Sequence, residues 1–215
     1  MKALGLIEVY SFTTAVTVAD LAAKAADVKI IAFDRNRPLS PDVPAPLVMV
    51  VKFEGNVAAV EAALDAGVSY AKAHGKYIVS HIIPRPDEQA EKMAYLMDIN
   101  KDKYNKKLPK SFLGYEPENV SQSGAIGLFE ISGLVASIEA LDAMTKAAEV
   151  RLIHTEKRLG GRLVTLIVTG EISAVTSAIE AANERASMLG PVYGKNCIAR
   201  PHSEIMKFFD TSVTE

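Results

Sequence analysis

The amino-acid sequence predicts an α/β (α+β) protein built from two tandem copies of one βαββαβ domain. The chain repeats itself, since residues 3–8 (ALGLIE) return as 125–130 (AIGLFE), an offset of 122 residues. Each copy also shows the same order of strand-like apolar runs and amphipathic helix patterns. A chain of 215 residues, 49% of them hydrophobic, has room for two small domains that each bury a core.

The repeat extends through most of the chain, but its offset changes once. Before residue 37 the offset is 122, and beyond residue 46 it is 115. The difference is a seven-residue insertion in the first copy, which falls in the proline-rich stretch 38–46. Charged positions that correspond between the copies are Asp20 and Asp142, Lys24 and Lys146, and Arg85 and Arg200.

Each element of the first copy has its own signal. Helical spacing of apolar residues predicts a helix over 14–26. A second helix begins after Asn56, a plausible N-cap, and ends before Gly75, a good residue for the C′ position. Apolar and β-branched runs predict strands at 3–9, 27–33, 47–53 and 77–83.

The second copy repeats this order. Gly170 precedes its second helix and Gly190 stands at the end of that helix. The order β-α-β-β-α-β is that of the ferredoxin-like split βαβ unit. We therefore predict a first domain over 1–94, a lysine-rich linker over 95–123 and a second domain over 124–215.

Charge and composition exclude several classes of protein. The 24 Lys and Arg residues nearly balance 26 Asp and Glu residues, so the chain lacks the basic excess of a general nucleic-acid binder. Glu8 interrupts the N-terminal apolar run too early for a signal peptide, and no apolar run is long enough to cross a membrane. We expect a cytoplasmic protein that binds neither nucleic acid nor a membrane.

Catalytic and metal-binding signatures are weak. The single cysteine, Cys197, cannot form an intrachain disulfide or a Cys-based metal site within one chain, and its alignment with Ile82 indicates a small buried residue. The four histidines lack metal-ligand spacing, and no serine has an evident His and acid arrangement. We expect no catalytic residue, no metal and no cofactor.

Charged residues that recur outside the core pattern are better candidates for function. The simplest interpretation of Lys24 and Lys146 is an i, i+4 ion pair with the preceding aspartate near a helix C-terminus. Arg85 and Arg200 follow equivalent strands; each alone would be ordinary surface charge, but their recurrence favours a shared role at an edge. The loops between the middle strands, 34–38 and 156–162, both contain clustered arginines.

In combination these motifs resemble the bacterial microcompartment shell proteins, specifically those with two tandem, non-permuted shell domains. The A-[LI]-G-[LI]-[IF]-E opening is similar to the family's first strand in both copies, and 156–164 (EKRLGGRLV) is similar to its pore loop and following strand. The sequence IPRP at 83–86 resembles the signature that ends the family's domain, and 198–201 (IARP) is a looser copy. The likeness covers nearly the whole chain except the linker.

The resemblance implies a homotrimer that forms a pseudohexameric tile with a central pore and packs edge to edge with other shell proteins of a microcompartment. It implies further contacts with encapsulated enzymes and passage of metabolites through the pore. The clustered arginines of the two loops, repeated around one axis, would favour small anionic metabolites. The residues that it places at the tile edge are Lys24, Lys146, Arg85 and Arg200. The residues that it places along the pore are Arg35, Asn36, Arg37, Pro38, Arg158, Leu159, Gly160, Gly161 and Arg162.

One departure from the family concerns a metal cluster. Some tandem shell proteins hold an iron–sulfur cluster through a cysteine in the first pore loop, whereas residues 34–47 contain no cysteine, so we predict no cluster. The proline-rich insertion narrows, covers or widens the first pore loop; the sequence leaves these alternatives open. Two rival interpretations also stay open at this point: a cytosolic ferredoxin-like regulatory protein that binds a small molecule, and an enzyme with its site between the copies.

Overall fold

The computed structural model of the chain describes residues 2–38, 40, 42–87, 94, 124–156 and 163–209, with the backbone alone at Glu156. The predicted linker 95–123 and the candidate pore residues 158–162 lie outside these ranges.

Two four-stranded antiparallel sheets, each with two long helices, confirm the predicted fold class. The elements of the first domain are β1 (Ala3–Tyr10), α1 (Phe12–Ala25), β2 (Lys29–Asn36), β3 (Val48–Gly55), α2 (Val57–Ala73) and β4 (Tyr77–Ile83). Those of the second are β5 (Ala125–Ser132), α3 (Leu134–Ala147), β6 (Arg151–Glu156), β7 (Leu163–Gly170), α4 (Ile172–Ala186), β8 (Val192–Ile198) and the short α5 (Ser203–Met206). The strand orders are β2-β3-β1-β4 and β6-β7-β5-β8, the ferredoxin-like arrangement in both cases.

The repeat holds at the level of strand register. Ala3 pairs with Gly55 in the first sheet, and their counterparts Ala125 and Gly170 pair in the second. The bulge after Glu8 returns after Glu130, and the bulge around Ile31 returns around the equivalent position of β6. Both offsets read from the sequence are therefore confirmed residue by residue.

The structure confirms the predicted caps at Asn56 and Gly75 but not the predicted helix end at Gly190. Asn56 is the N-cap of α2, and its Oδ1 accepts a hydrogen bond of 2.8 Å from the Ala59 N–H. Gly75 adopts φ +62°, as a C′ glycine does. Gly190 is different, because α4 already ends at Ala186. A Cβ at Gly190 would lie 2.2 Å from the Ser132 carbonyl oxygen, so this glycine permits a close backbone approach.

Several element boundaries differ from the prediction by one to three residues, and two of them have a clear structural cause. α1 begins at Phe12 rather than at 14, because Ser11 serves as its N-cap. β2 runs on to Asn36 rather than ending at 33, since Arg35 and Asn36 continue the ladder opposite Met49 and Val48. Two of the candidate pore residues therefore belong to the end of a strand.

The two faces of each sheet have different neighbours. Gly67 of α2 lies so close to Ile7 that an added Cβ would be 2.8 Å from its Cδ1, and Gly127 of β5 lies equally close to Val175 of α4. Odd-numbered residues of β1 and β5 therefore face the domain's own helices. Even-numbered residues, among them Glu8 and Glu130, point to the opposite face, here called the open face of each sheet.

Candidate assembly surfaces

Helix α1 of the first domain covers the open face of the second sheet. It contacts β5, β8 and α5. Ile126 and Leu128 of β5 are fully buried and belong to the same hydrophobic cluster as the core of the first domain. At Gly194 of β8 an added Cβ would lie 2.8 Å from Thr13 Cβ, so the close contact of the two domains requires a glycine there.

A buried carboxylate joins the domains at the N-terminus of α1. Glu130 of β5 is fully buried, and its carboxylate accepts hydrogen bonds from the Ser11 hydroxyl, the Thr13 N–H (3.1 Å) and the Phe12 N–H (3.4 Å). The first N–H groups of a helix lack intrahelical acceptors and carry partial positive charge. An acidic side chain of one domain therefore caps a helix of the other.

The electrostatics of this cap involve one further cation. Burial raises the pKa of Glu130, while its hydrogen bonds from Ser11, Thr13 and Phe12 act in the opposite direction. Burial lowers the pKa of the Lys76 ammonium, and the negative charge of Glu130 partly restores it. Lys76 Nζ also donates to the Pro44 carbonyl oxygen at 2.9 Å, so the proline-rich insertion is attached beside this junction.

A neutral hydrogen-bonded bridge crosses the same junction further along α1. Asn196 Nδ2 of β8 donates to Thr17 Oγ1 at 3.0 Å. Burial raises the pKa of Tyr70 of α2, and the side chain of the same threonine acts in the opposite direction. Uncharged side chains alone thus make this second link between the domains.

The segment after β8 completes the junction. The His202 N–H donates to Asp20 Oδ1 at 2.8 Å, and Glu204 Oε2 accepts from the Ile30 N–H at 2.7 Å. The ring of Phe208 packs edge-on against that of Phe33, with 4.9 Å between centroids. The second domain therefore satisfies a backbone donor at the bulged edge strand of the first.

The equivalent helix face in the second domain is uncovered. Phe12, Thr13 and Val16 of α1 are 2%, 3% and 0% exposed, whereas their counterparts on α3, Leu134, Val135 and Ile138, are 62%, 74% and 61% exposed. We call these three residues of α3 the apolar helix face. Three adjacent exposed aliphatic side chains are typical of a surface that another protein covers.

The open face of the first sheet is uncovered in part. Glu8, the counterpart of Glu130, is only half-buried, and Val79 of β4, the counterpart of Gly194, is 51% exposed. Ala94 packs with Leu4 and Ile31 over the other end of this face. The counterparts of the two surfaces that meet within the chain are therefore left exposed, the first sheet in part.

The predicted edge residues are exposed, and their ion pairs are confirmed. Lys24 Nζ lies 2.5 Å from Asp20 Oδ2, and Lys146 Nζ lies 2.7 Å from Asp142 Oδ2. The aspartates differ, since the Asp20 side chain is 3% exposed and that of Asp142 is 46% exposed. Arg85 and Arg200 are both exposed just after β4 and β8.

The described candidate pore residues lie together at the end of β2. Arg35 is half-buried, and Asn36 and Arg37 are exposed. Lys52 Nζ lies 3.6 Å from Asp34 Oδ2, so the negative charge of Asp34 is already partly compensated. Asp34 therefore neutralises less of the positive charge of the nearby arginines.

Sequence reasoning missed the roles of Ser11, Glu130 and Glu204. The glutamates of the repeated A-x-G-x-x-E motif did carry a signal. A charged residue at the same place in two otherwise apolar strands requires a partner when it is buried. Ser11 and Glu204 are not repeated in the other copy, so the repeat could not mark them.

Cys197 and the possible metal ligands are the remaining candidates from the sequence. Cys197 is partly buried, packs against the core of the second domain, and has a raised pKa because of that burial. Within the described ranges no three His, Cys, Asp or Glu side chains are grouped for metal binding. None of the helices in those ranges is long and apolar enough to span a membrane.

Comparison with known proteins assigns the family. The BMC domain model matches residues 3–86 and again residues 125–201. The chain is a tandem-domain bacterial microcompartment shell protein. It is 34% identical to the carboxysome assembly protein CcmO of Synechococcus elongatus over 205 residues, which are 95% of this chain and 67% of that protein.

Other relatives match one BMC domain or the fold. The bacterial microcompartment shell protein PduA of Salmonella typhimurium is 40% identical over 94 residues, 44% of this chain and 99% of its own length. The crystal structure of EtuB from Clostridium kluyveri aligns with a TM-score of 0.56 at 12% identity, covering 92% of this chain and 81% of that one. This last likeness concerns the fold alone.

The Glu130 cap yields a stability prediction with a matched control. Glu130→Ala leaves the Ser11 hydroxyl and two N–H groups without their acceptor, and we expect it to lower the free energy of unfolding by about 2–3 kcal/mol. Glu8→Ala changes the half-buried counterpart and should cost less than about 1 kcal/mol in the dissociated chain. Urea unfolding at low protein concentration measures both, and equal losses would contradict the cap.

The sign of the pH dependence follows from the raised pKa of Glu130. Because the folded chain holds this proton more tightly than the unfolded chain, the contribution of Glu130 is greatest below its unfolded pKa. It decreases as the pH rises through the raised pKa. The difference in free energy of unfolding between the wild type and Glu130→Ala should therefore become smaller as the pH rises from the unfolded pKa of Glu130 to its raised folded pKa. A difference that grows with pH would contradict a raised pKa of Glu130.

Proposed function

We propose that this shell protein forms a homotrimer in which six BMC domains alternate around a ring, and that this ring is a tile with a central pore. The observation that carries the proposal is the unequal exposure of equivalent surfaces. Within the chain, α1 packs on the open face of the second sheet, and both surfaces are buried. Their counterparts, α3 and part of the open face of the first sheet, are exposed. A neighbouring chain supplies the missing cover.

The contact is heterologous, because two different surfaces meet. A heterologous contact produces a closed ring or an open filament. Each chain adds two domains whose internal junction already has the required geometry, so three chains supply three internal and three chain–chain junctions. Resemblance to the tandem shell proteins favours the closed six-domain ring.

The relatives of the chain favour a shell role over catalysis. The relatives with one or two BMC domains are described as shell or assembly proteins, CcmO for the carboxysome and PduA for a bacterial microcompartment. We propose that this chain acts structurally, alongside other shell proteins at its edges and without a catalytic site. The family assignment favours this over a regulatory protein that binds a small molecule.

Substitution of the apolar helix face tests the trimer. Val135→Asp places a charge where the intrachain junction has the buried Thr13, so we expect sedimentation to show single chains at concentrations at which the wild type is trimeric. The control is Ile172→Asp, at a helix position that stays exposed in both domains (Val57 is 41% and Ile172 43% exposed). Trimers of Val135→Asp, or loss of trimers in both variants, would contradict the proposed junction.

Lys146→Ala tests the tile edge more cleanly than Lys24→Ala does. Asp20 is buried and also accepts from His202, so removal of Lys24 leaves a buried carboxylate short of a partner and should cost about 1–2 kcal/mol. The exposed Lys146–Asp142 pair contributes about 0.5 kcal/mol or less. Lys146→Ala should keep trimers intact yet prevent extended sheets in electron micrographs; sheets of normal extent would refute an edge role.

The pore proposal predicts selectivity for anions. In a trimer Arg35, Arg37, Arg158 and Arg162 each occur three times around one axis, and such a ring favours small anions over cations. Reversing Arg158 and Arg162 to Glu should lower the flux of an anionic metabolite into intact shells several-fold, with uncharged solutes unaffected. Unchanged anion flux would refute the proposed filter.

A further inference from the structure

We propose that His81 of one chain pairs with Glu139 of the next across the chain–chain junction, and that this pair makes trimer assembly depend on pH. The proposal rests on the head-to-tail trimer described above. It concerns the chemistry of the proposed second junction, between α3 of one chain and the open face of the first sheet of the next.

The correspondence between the domains supplies the partners. Within the chain, Asn196, Thr17 and Tyr70 form the neutral bridge. Their counterparts at the same offsets of 115 and 122 residues are His81, Glu139 and Arg185. Every neutral member of the internal bridge therefore has an ionisable counterpart on the surfaces that are left open.

Two members of this charged group, Arg185 and Glu139, are in contact within the chain. Arg185 of α4 donates to Glu139 Oε1 of α3 through Nη2 at 3.0 Å and Nε at 3.2 Å. Both contacts use the same carboxylate oxygen, so the other oxygen can accept from a further donor. The Glu139 side chain is 31% exposed and that of Arg185 is 64% exposed, so both are accessible to a side chain of another chain.

The other half lies on β4. His81 is exposed and occupies the same register position opposite Leu6 of β1 as Asn196 occupies opposite Leu128 of β5. If a neighbouring chain repeats the internal junction, the His81 imidazole takes the place of the Asn196 amide and meets Glu139 in the place of Thr17. A protonated imidazole at this position donates a charge-assisted hydrogen bond to the carboxylate, which is about twice as strong as a neutral one.

The sign of the pH effect depends on all charges around His81. On its own open face these are Glu8 of β1, Lys52 and Glu54 of β3 and Asp34 of β2. From the neighbouring chain they are Glu139, Asp142 and Lys146 of α3 and Arg185 of α4. Lys146 is paired with Asp142, and Lys52 lies near Asp34. Glu139 is the group in hydrogen-bonding position and Arg185 holds it there, so the carboxylate favours the imidazolium in the trimer.

The linkage between proton binding and assembly gives the direction of the pH effect. Because the proposed ion pair forms only with an imidazolium, trimer assembly strengthens as the pH falls through the range in which free histidine gains its proton, about 8 to about 6. One pKa unit of difference corresponds to tenfold in the association constant for each junction. We expect an apparent dissociation constant at least about tenfold lower at the acidic end.

Sedimentation of the full chain across this pH range tests the proposal. His81→Asn combined with Glu139→Thr reproduces the neutral pair of the internal junction, so this variant should form trimers whose stability no longer changes with pH. Glu139→Gln should likewise remove most of the dependence. His74→Asn is the control, because His74 is an exposed histidine whose Nδ1 lies 2.8 Å from Tyr70 O within its own helix, and it should retain the wild-type dependence.

Each outcome decides a different statement. A wild-type trimer whose dissociation constant does not change with pH, or a His81→Asn, Glu139→Thr variant that keeps the full dependence, overturns the His81–Glu139 pair and leaves the trimer intact. A wild type that stays a single chain at every pH and concentration overturns the trimer itself, and the pair with it.

Discussion

A four-stranded sheet with its helices on one face needs a cover for the other face, and the organisation of this protein follows from that requirement. In the second domain the cover is α1 of the first, and Ile126, Leu128 and the buried Glu130 are all enclosed by it. In the first domain Lys52 and Glu54 stand where the second has Ile167 and Thr169, so its open face is more polar. The two copies share a backbone and differ in what covers them.

The cap at Glu130 shows how the copies diverged around a common geometry. Ser11 adopts φ 78°, a conformation that favours glycine, and its counterpart Gly133 adopts φ 100°. A serine at this position bears some backbone strain, which the hydrogen bond of its hydroxyl to Glu130 offsets. At the proposed chain–chain junction Gly133 brings no hydroxyl, and Pro191 stands where the internal junction has Lys76. The internal junction is therefore the more completely satisfied of the two.

Most of the fold could be predicted from the sequence because the signals are local or repeated. Apolar spacing marked the helices and strands, the turn chemistry of Asn56 and Gly75 marked both ends of α2, and the two offsets marked the register of both sheets. The predicted start of α1 was wrong by two residues and the predicted end of β2 by three. The cap at Ser11 and the strand pairing at Arg35 depend on residues that are close in space rather than in sequence. Which charged residues become buried was beyond the sequence, because Glu8 and Glu130 occupy identical motifs and only the neighbouring domain distinguishes them.

Equivalent residues in a duplicated chain consequently need not have equivalent energetics. The pairs Lys24–Asp20 and Lys146–Asp142 have nearly the same geometry, yet only Asp20 is enclosed and shared with His202. The same divergence separates Asn196 and Thr17 from His81 and Glu139. A junction within one chain forms at an effective concentration set by the linker and can rely on neutral hydrogen bonds and apolar contact. A junction between chains must select its partner from solution, and opposite charges contribute to that selection by favouring the correct pairing of unlike surfaces over like ones.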